Sequence, residues 1–200
     1  MPSLTDPDAL LKANLAEVAA LSAQCEALAP GLAEATRVIG EALTSGRKLL
    51  ACGNGGSAAG DAAHLTSEIA NRYCDDRPPY PAIDLTADHN IVTAIANDYG
   101  IDQMFARQVR AHSQQGDVLC VFSTSGNSAN IVAAIAQAES QGVRTIAFLG
   151  KGGGRCKGLS DIELIVPSDV TARVQEMHLV LYHTICEALE PALARVNSSQ

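Results

Sequence analysis

With 200 residues, of which 47% are hydrophobic, the chain is long enough for one α/β domain and an additional element. The formal net charge of −8 and the absence of any run of Lys or Arg argue against non-specific binding to nucleic acid, which requires clustered basic residues. No apolar stretch has the length of a membrane span, the N-terminus does not resemble a secretory signal and the six Cys form no C-x-x-C pair, so we expect a cytoplasmic protein with reduced thiols and no membrane partner.

The N-terminal part of the chain predicts two helices. Apolar residues recur at intervals of three and four over residues 11–28 and 32–43, and Pro30-Gly31 separates the two runs. We expect residues 1–47 to form a helical hairpin that belongs to the same domain as residues 48–195. Because it precedes the first strand, the hairpin either covers a face of the sheet or packs on another subunit.

From residue 48 onwards, short apolar runs alternate with helical patterns. The predicted strands are 48–52, 81–85, 118–122, 143–149 and 162–166. The predicted helices are 57–72, 88–97, 102–112, 128–140 and 171–190. This alternation predicts a doubly wound, flavodoxin-like α/β fold with a five-stranded parallel sheet and helices on both faces. A sheet of order 2-1-3-4-5 has its switch point between the first and third strands, and ligands bind outside the carboxyl ends of those strands.

The first and third predicted strands each end in a loop of small residues that opens onto a helix. The first loop reads Gly53-Asn54-Gly55-Gly56-Ser57, and the second reads Ser123-Thr124-Ser125-Gly126-Asn127-Ser128. Free N–H groups and hydroxyls at a positive helix end favour an anion, most often a phosphate. Neither loop has a nucleotide-binding fingerprint or a Lys, which suits a single phosphate better than a triphosphate. The alternative is a pair of ordinary turns between strand and helix, which favour the same residue types.

Two helices carry residues that can do chemistry. His64 and Glu68 are four residues apart and share a helix face, where they form a metal site, an acid/base pair or a structural contact. The last helix carries Gln175 and His183, about 12 Å apart along its axis, among residues that are apolar on most faces. From spacing alone, Asn97-Asp98 is a polar helix end followed by a turn.

The combined motifs resemble the phosphoheptose isomerases, which are sugar-isomerase (SIS) domain enzymes. The resemblance covers essentially the whole chain. It is carried by Gly53-Asn54-Gly55-Gly56-Ser57, His64 with Glu68, Asn97-Asp98, Ser123-Thr124-Ser125-Gly126-Asn127-Ser128, and Arg173-Val174-Gln175-Glu176-Met177-His178 with His183. It implies that sedoheptulose 7-phosphate is converted through an enediol to D-glycero-D-manno-heptose 7-phosphate, for ADP- or GDP-heptose biosynthesis.

The resemblance also implies a set of ligands and residue roles. Glu68 and His183 are implied as the catalytic acid/base pair. One Zn2+ per subunit is implied, with the ligands His64, Glu68, Gln175 and His183. The implied substrate-binding residues are Asn54, Gly55, Gly56, Ser57, Glu68, Asn97, Asp98, Ser123, Thr124, Ser125, Ser128 and Gln175. A homotetramer with sites between subunits is implied as well.

One spacing departs from the family pattern. Asn54 and His64 are ten residues apart, where the family has nine, as if Gly60 were inserted. An extra residue within a helix rotates all later positions of that helix by about 100°. We therefore expect either a shifted first loop or a bulge that absorbs the extra residue.

Two other functions compete with the isomerase. One is a non-catalytic SIS-domain protein of the kind that associates with the bacterial replication initiator, which keeps the phosphate-type loops but lacks the carboxylate and the final histidine. The presence of Glu68 and His183 favours the enzyme. The other is a sugar-phosphate-sensing regulator, which would carry a DNA-binding domain for which the chain has no spare length.

Overall fold

A five-stranded parallel sheet of order β2-β1-β3-β4-β5 organises the computed structural model, which describes residues 5–195. The strands are β1 (Leu49–Gly53), β2 (Ala82–Asp84), β3 (Val118–Ser123), β4 (Arg144–Leu149) and β5 (Ile162–Ile165). The helices are α1 (Pro7–Cys25), α2 (Ala29–Thr44), α3 (Gly55–Ala70), α4 (His89–Tyr99), α5 (Ala106–His112), α6 (Ala129–Ser140) and α7 (Thr171–Arg195). The predicted fold class is confirmed, except that α1 and α2 do not form a hairpin. The 3-10 turn Glu26–Leu28 keeps right-handed helical backbone angles between them, so the two helices continue as one long helical segment and make few contacts with each other. Pro30 and Gly31, which were expected to separate the helices, lie in the first turn of α2, where a Pro interrupts no helical hydrogen bond. The first four residues of the expected hairpin, 1–4, lie outside the described residues.

The sheet separates two apolar cores because side chains alternate between its faces. On one face, Ala51, Cys120 and Phe148 pack with α2, α3 and α7. On the other face, Cys52 and Val121 pack with α5 and α6. The strands β1 and β3 are buried along their whole length, as expected for a parallel sheet covered on both sides.

Three predicted elements of the sheet and its helices differ clearly from the observed ones, and the ends of most others shift by one or two residues. The second strand is shorter than predicted, since Pro81 has no N–H with which to extend the ladder. The helix predicted over residues 102–112 is divided, because Met104 and Phe105 turn into the core between a short 3-10 helix at Ile101–Gln103 and α5. The last helix continues past residue 190 to Arg195.

The extra residue near Gly60 does not interrupt α3, which is a continuous α-helix. It starts directly after Asn54, with Gly55 in the left-handed region at φ 74°. Its first turn lies so close to β1 that a Cβ at Gly53 would collide with the carbonyl of Ala58. His64 and Glu68 remain on one face of this helix.

The two N-terminal helices differ in how they contribute to the fold. The amphipathic α2 buries five residues and packs on α7 and on the sheet. By contrast, α1 buries only Leu21, and Leu11 and Leu15 stay more than half exposed. Among residues 5–195, none of the helices combines the length and the hydropathy that a membrane crossing requires.

A buried ion pair ties α3 to α7. Arg77 donates from Nε to Oε1 of Glu190 at 2.9 Å, and the two side chains are 1% and 9% exposed. The same guanidinium donates to the carbonyls of Glu68 at 2.7 Å and Ile69 at 3.1 Å. These carbonyls lie at the C-terminal end of α3, where a helix leaves acceptors unsatisfied and favours a positive charge. Arg77 therefore fixes the last turn of α3, which carries Glu68, against α7.

We expect Glu190→Gln to lower the free energy of unfolding by about 3 kcal/mol, because it leaves the Arg77 charge buried without its counter-ion. Urea unfolding measures the change. Glu187→Gln, an exposed change one turn earlier on α7, is the matched control and should stay within about 0.5 kcal/mol of the parent. Equal stability of the two variants would contradict the structural role of this pair.

Candidate active site

The two small-residue loops line one cavity at the carboxyl ends of β1 and β3. The cavity has a volume of about 180 Å³. Its lining consists of Asn54, Gly55, Gly56, Ser57, Ala58, Phe122, Ser123, Thr124, Ser125, Ser128 and Gln175. The structure thus brings together nine of the predicted substrate-binding residues, at the switch point of the sheet.

The N-termini of α3 and α6 both point their free backbone donors towards this cavity. Neither Asn54 nor Ser128, the two N-cap residues, forms a side-chain capping hydrogen bond within the described chain. The first N–H groups of a helix have no partner inside the helix, and its N-terminus carries a partial positive charge. Two uncapped N-termini on one cavity therefore favour an anion, although no Lys or Arg lines it. We refer to this cavity as the anion cavity.

The side chain of Asn54 is held by a residue that the sequence did not single out. Asn54 Nδ2 donates to Oδ1 of Asn130 at 2.7 Å, and Asn130 Nδ2 donates back to Oδ1 of Asn54 at 2.9 Å. Asn130 lies buried on the first turn of α6. This reciprocal amide pair joins the first loop to the second. The one indication of this pair in the sequence is that Asn130 is a polar residue on an otherwise apolar face of α6.

The second loop packs against the glycine-rich segment that follows β4. Gly126 has a φ of 63°, and a Cβ there would collide with the carbonyl of Gly153. Asn127 accepts a hydrogen bond from the N–H of Arg155 through Oδ1 at 3.1 Å. Ser123 Oγ accepts from the N–H of Gly126 at 3.1 Å. The loop conformation is therefore fixed by backbone packing before any ligand binds.

A second cluster lies further along α3 and α7. One ligand atom each from His64, Glu68 and His183 lie within 4.8 Å of one another. His64 Nε2 is 2.9 Å from Glu68 Oε1 and 3.5 Å from His183 Nε2. Tyr182 shares a hydrogen bond of 2.9 Å with His64 through its hydroxyl and Nδ1. Burial and the neighbouring His64 lower the pKa of His183, against the opposing effect of Glu68.

This donor set fits a zinc ion. Zinc prefers imidazole nitrogen and carboxylate oxygen, and catalytic sites use three protein ligands with one further position open. Two imidazoles and one carboxylate meet that requirement in His64, His183 and Glu68. Gln175, the fourth ligand implied by the family resemblance, lines the anion cavity eight residues before His183, and its role as a ligand stays a prediction.

Asn97 and Asp98 do not line this cavity within one protomer. Both are exposed at the end of α4, where Asn97 Nδ2 donates to Oδ1 of Asp98 at 2.8 Å. Of the eleven residues of α4, all described, none is buried. A role of these two residues in substrate binding stays a prediction that requires a second subunit.

A larger cavity of about 390 Å³ lies at the amino ends of the strands, next to Arg37 and Arg144. Arg37 is paired with Glu34 and Glu41, and Arg144 is paired with Asp161. Arg47 also lines this cavity. Because Arg37 and Arg144 are already paired, and because ligands of such sheets bind at the opposite ends of the strands, this cavity is the weaker candidate.

Asp61 on α3 and His178 on α7 form a buried pair next to the second cluster. His178 donates from Nε2 to the carbonyl of Leu149 at 3.2 Å, so that Nδ1 faces Oδ2 of Asp61 at 4.0 Å. Within the described chain neither of these two atoms has a hydrogen-bond partner. Burial raises the pKa of Asp61 to about 6 and lowers the pKa of His178 to about 4, since it disfavours the charged form of each.

Comparisons with known proteins agree on one family. The SIS domain profile matches residues 15–150. The phosphoheptose isomerase of Shewanella sp. (strain ANA-3) is 47% identical over 171 residues, 84% of this chain and 86% of that protein. The corresponding protein of Alteromonas mediterranea is 47% identical over 187 residues, 92% of this chain and 94% of its own. A phosphoheptose isomerase structure from Francisella tularensis superposes with a TM-score of 0.89 at 36% identity and covers 94% of this chain and 100% of its own.

The Asp61–His178 pair leads to a pH-dependence prediction. The folded-state pKa of Asp61 is about 6, against a usual value near 3.8, so the folded state binds the proton more tightly and Asp61 reduces stability as the pH rises from about 4 to 6. Asp61→Asn removes that effect. We expect the stability of Asp61→Asn relative to the parent to rise by about 1–2 kcal/mol between pH 4 and pH 6.5, as measured by urea unfolding. A difference that is constant or falls with pH would contradict the placement of this carboxyl.

Proposed function

Because the chain belongs to the SIS-domain family and, within it, to the phosphoheptose isomerases, we propose that it converts sedoheptulose 7-phosphate to D-glycero-D-manno-heptose 7-phosphate. The observation that carries this proposal is the distance between the two parts of the site. On α7, Gln175 at the anion cavity and His183 at the second cluster are eight residues apart, which is about 12 Å along the helix axis. A substrate that reaches both needs several carbons between its phosphate and its carbonyl.

The phosphate end of the substrate is proposed to bind at the two uncapped helix N-termini. The N–H groups of α3 and α6 and the hydroxyls of Ser125 and Ser128 supply donors for its oxygens. Binding energy at this remote group then positions C1 and C2 at the second cluster, which is how a non-reacting part of a substrate contributes to rate.

Glu68 and His183 are proposed as the acid/base pair. Moving a carbonyl between C1 and C2 requires a base that carries a proton between adjacent carbons through an enediol, and a second group that exchanges protons with the oxygens. We assign the carbon-bound proton to Glu68 and the oxygens and ring opening to His183. The lowered pKa of His183 supports this role, since a neutral imidazole can accept a proton at neutral pH.

The residues proposed to hold one Zn2+ per subunit are His64, Glu68, Gln175 and His183. Because Gln175 and His183 lie about 12 Å apart along α7, we propose that different subunits supply these two ligands. The cluster of His64, Glu68 and His183 supports three of them. When bound, the metal supplies a Lewis acid that polarises the substrate carbonyl. The chain's own residues hold the sugar and move its protons.

We also propose a homotetramer with its sites between subunits. Leu11 and Leu15 of α1 and Val180 of α7 are more than half exposed, and apolar faces of this kind mark surfaces that associate. A neighbouring subunit would then bring Asn97 and Asp98 to the substrate. A cytoplasmic location and a place in ADP- or GDP-heptose biosynthesis complete the proposal.

The phosphate assignment predicts the behaviour of the double variant Ser125→Ala, Ser128→Ala. It removes two donors from the anion cavity, so we expect KM for sedoheptulose 7-phosphate to rise at least about tenfold with a smaller change in kcat. Steady-state kinetics measure both constants, and Ser140→Ala at the far end of α6 is the control. Unchanged kinetics in the double variant would reject the phosphate site.

The catalytic assignment predicts that Glu68→Gln loses a factor of about 100 or more in kcat, because the amide keeps the size of the side chain but is no base. Equilibrium dialysis should show that the variant still binds sugar phosphate. Exposed Glu139→Gln is the control for removing a charge. If Glu68→Gln and His183→Gln both kept near-normal turnover, this mechanism would be wrong and a binding function would replace it.

The proposed assembly predicts the effect of charges on α1. Leu11→Asp combined with Leu15→Asp should shift the mass measured by light scattering from a tetramer to smaller species, since burying two unpaired carboxylates is costly. Leu159→Asp places the same charge at an exposed leucine elsewhere and should leave the tetramer intact. A parent protein that is a stable monomer at micromolar concentration would contradict the proposal.

A further inference from the structure

The imidazole of His64 is held through both of its nitrogens. Nδ1 lies 2.9 Å from the hydroxyl of Tyr182, and Nε2 lies 2.9 Å from Oε1 of Glu68. Nε2 is also the atom that faces Nε2 of His183, at 3.5 Å. The two edges of this ring therefore have different roles, because Nε2 faces Glu68 and His183 whereas Nδ1 faces Tyr182.

A neutral imidazole has one N–H, so the partner at Nδ1 determines what Nε2 can do. If Nδ1 accepts a hydrogen bond, Nε2 carries the ring hydrogen and donates a hydrogen bond to the carboxylate of Glu68. If Nδ1 itself donates, Nε2 has a free lone pair and can bind a metal. A partner that can only donate or only accept would allow one of these states alone.

Tyr182 is suited to both states. A phenol both donates and accepts, and burial raises the pKa of Tyr182 above its usual value, so the hydroxyl keeps its proton at neutral pH. The side chain is 1% exposed and packs edge-on against Phe122 with 5.9 Å between ring centroids. Within residues 5–195, His64 is the one hydrogen-bond partner of its hydroxyl. The ring is thus fixed by packing, and the hydroxyl is directed at Nδ1.

We propose that Tyr182 is a positioning residue whose hydroxyl holds Nδ1 of His64 and so presents Nε2 to Glu68 and His183. In the metal-free protein the hydroxyl donates to Nδ1, and Nε2–H donates to Glu68. When Nε2 ligates a metal, Nδ1–H donates to the hydroxyl oxygen instead. This inference rests on the proposed metal site only for the second state.

The variant Tyr182→Phe tests the role, since it keeps the ring that packs on Phe122 and removes only the hydroxyl. Loss of a hydrogen-bond partner behind a ligating His typically lowers metal affinity 10- to 100-fold. We expect the Kd for Zn2+, measured by competition with a chromophoric chelator, to rise by about that factor. Tyr73→Phe is the matched control, because the Tyr73 ring lies 5.7 Å from that of His183 and its hydroxyl forms no hydrogen bond within the described chain. This control should change the Kd less than about twofold.

A spectroscopic measurement on the unaltered protein tests the same inference without any variant. Nitrogen-15 spectra of the histidine rings at a pH of about 8 distinguish protonated from unprotonated ring nitrogens. For His64 we expect Nδ1 unprotonated and hydrogen-bonded without metal, and Nδ1 protonated with Zn2+ bound. In Tyr182→Phe the metal-free Nδ1 shift should move towards that of a nitrogen without a donor.

The outcomes separate the two proposals. A protein that takes up no Zn2+ refutes the metal site, while the metal-free spectrum of His64 still decides the role of Tyr182. An unchanged Zn2+ affinity together with unchanged His64 spectra in Tyr182→Phe would overturn the inference. Ligation of Zn2+ through Nδ1 of His64 in the parent protein would overturn it as well.

Discussion

Arg77 and Glu190 form a buried ion pair on which the relative position of α3 and α7 depends. These two helices carry all three residues of the second cluster, and α7 also carries Gln175 at the anion cavity. The guanidinium contacts the carbonyl of Glu68 itself, so the residue proposed as the base is connected directly to the pair. A buried ion pair contributes less to net stability than its Coulomb energy suggests, and its best-supported role is to fix one arrangement among several.

The candidate site has two parts, one formed mainly by backbone groups and the other by side chains. The anion cavity uses backbone donors at two helix N-termini, which the sheet brings together at its switch point. The second cluster uses side chains several turns along α3 and α7. Burial lowers the pKa of His183 there, and the hydroxyl of Tyr182 is hydrogen-bonded to His64. The helices between the two parts fix the distance that the proposed substrate would span. In the proposed function, the loops bind the phosphate and the second cluster acts on the carbonyl end of the sugar.

The sheet and both loops were predictable from local patterns. Short apolar runs that end in Gly, Ser and Asn indicate a strand followed by a ligand-binding turn, and the positions of His64 and Glu68 follow from helical periodicity. The contacts between distant segments were not predictable. Asn130 opposite Asn54 is separated from it by 76 residues, and Tyr182 from His64 by 118. No local pattern records such pairs, because they depend on how the helices pack. Of the two outcomes expected from the extra residue at Gly60, the bulge is not observed, because α3 is a continuous helix in which His64 contacts Glu68. A shifted first loop stays a prediction.

The proposed function requires that this chain moves a proton between C1 and C2 of a seven-carbon ketose phosphate. The most direct measurement is incubation with sedoheptulose 7-phosphate in D2O, followed by NMR of the products. The account predicts an aldose heptose 7-phosphate in which at least part of the hydrogen at C2 is deuterium, because a base such as Glu68 exchanges its proton with solvent. No aldose phosphate, or one whose C2 hydrogen comes entirely from C1 of the substrate, would contradict the proton-transfer mechanism.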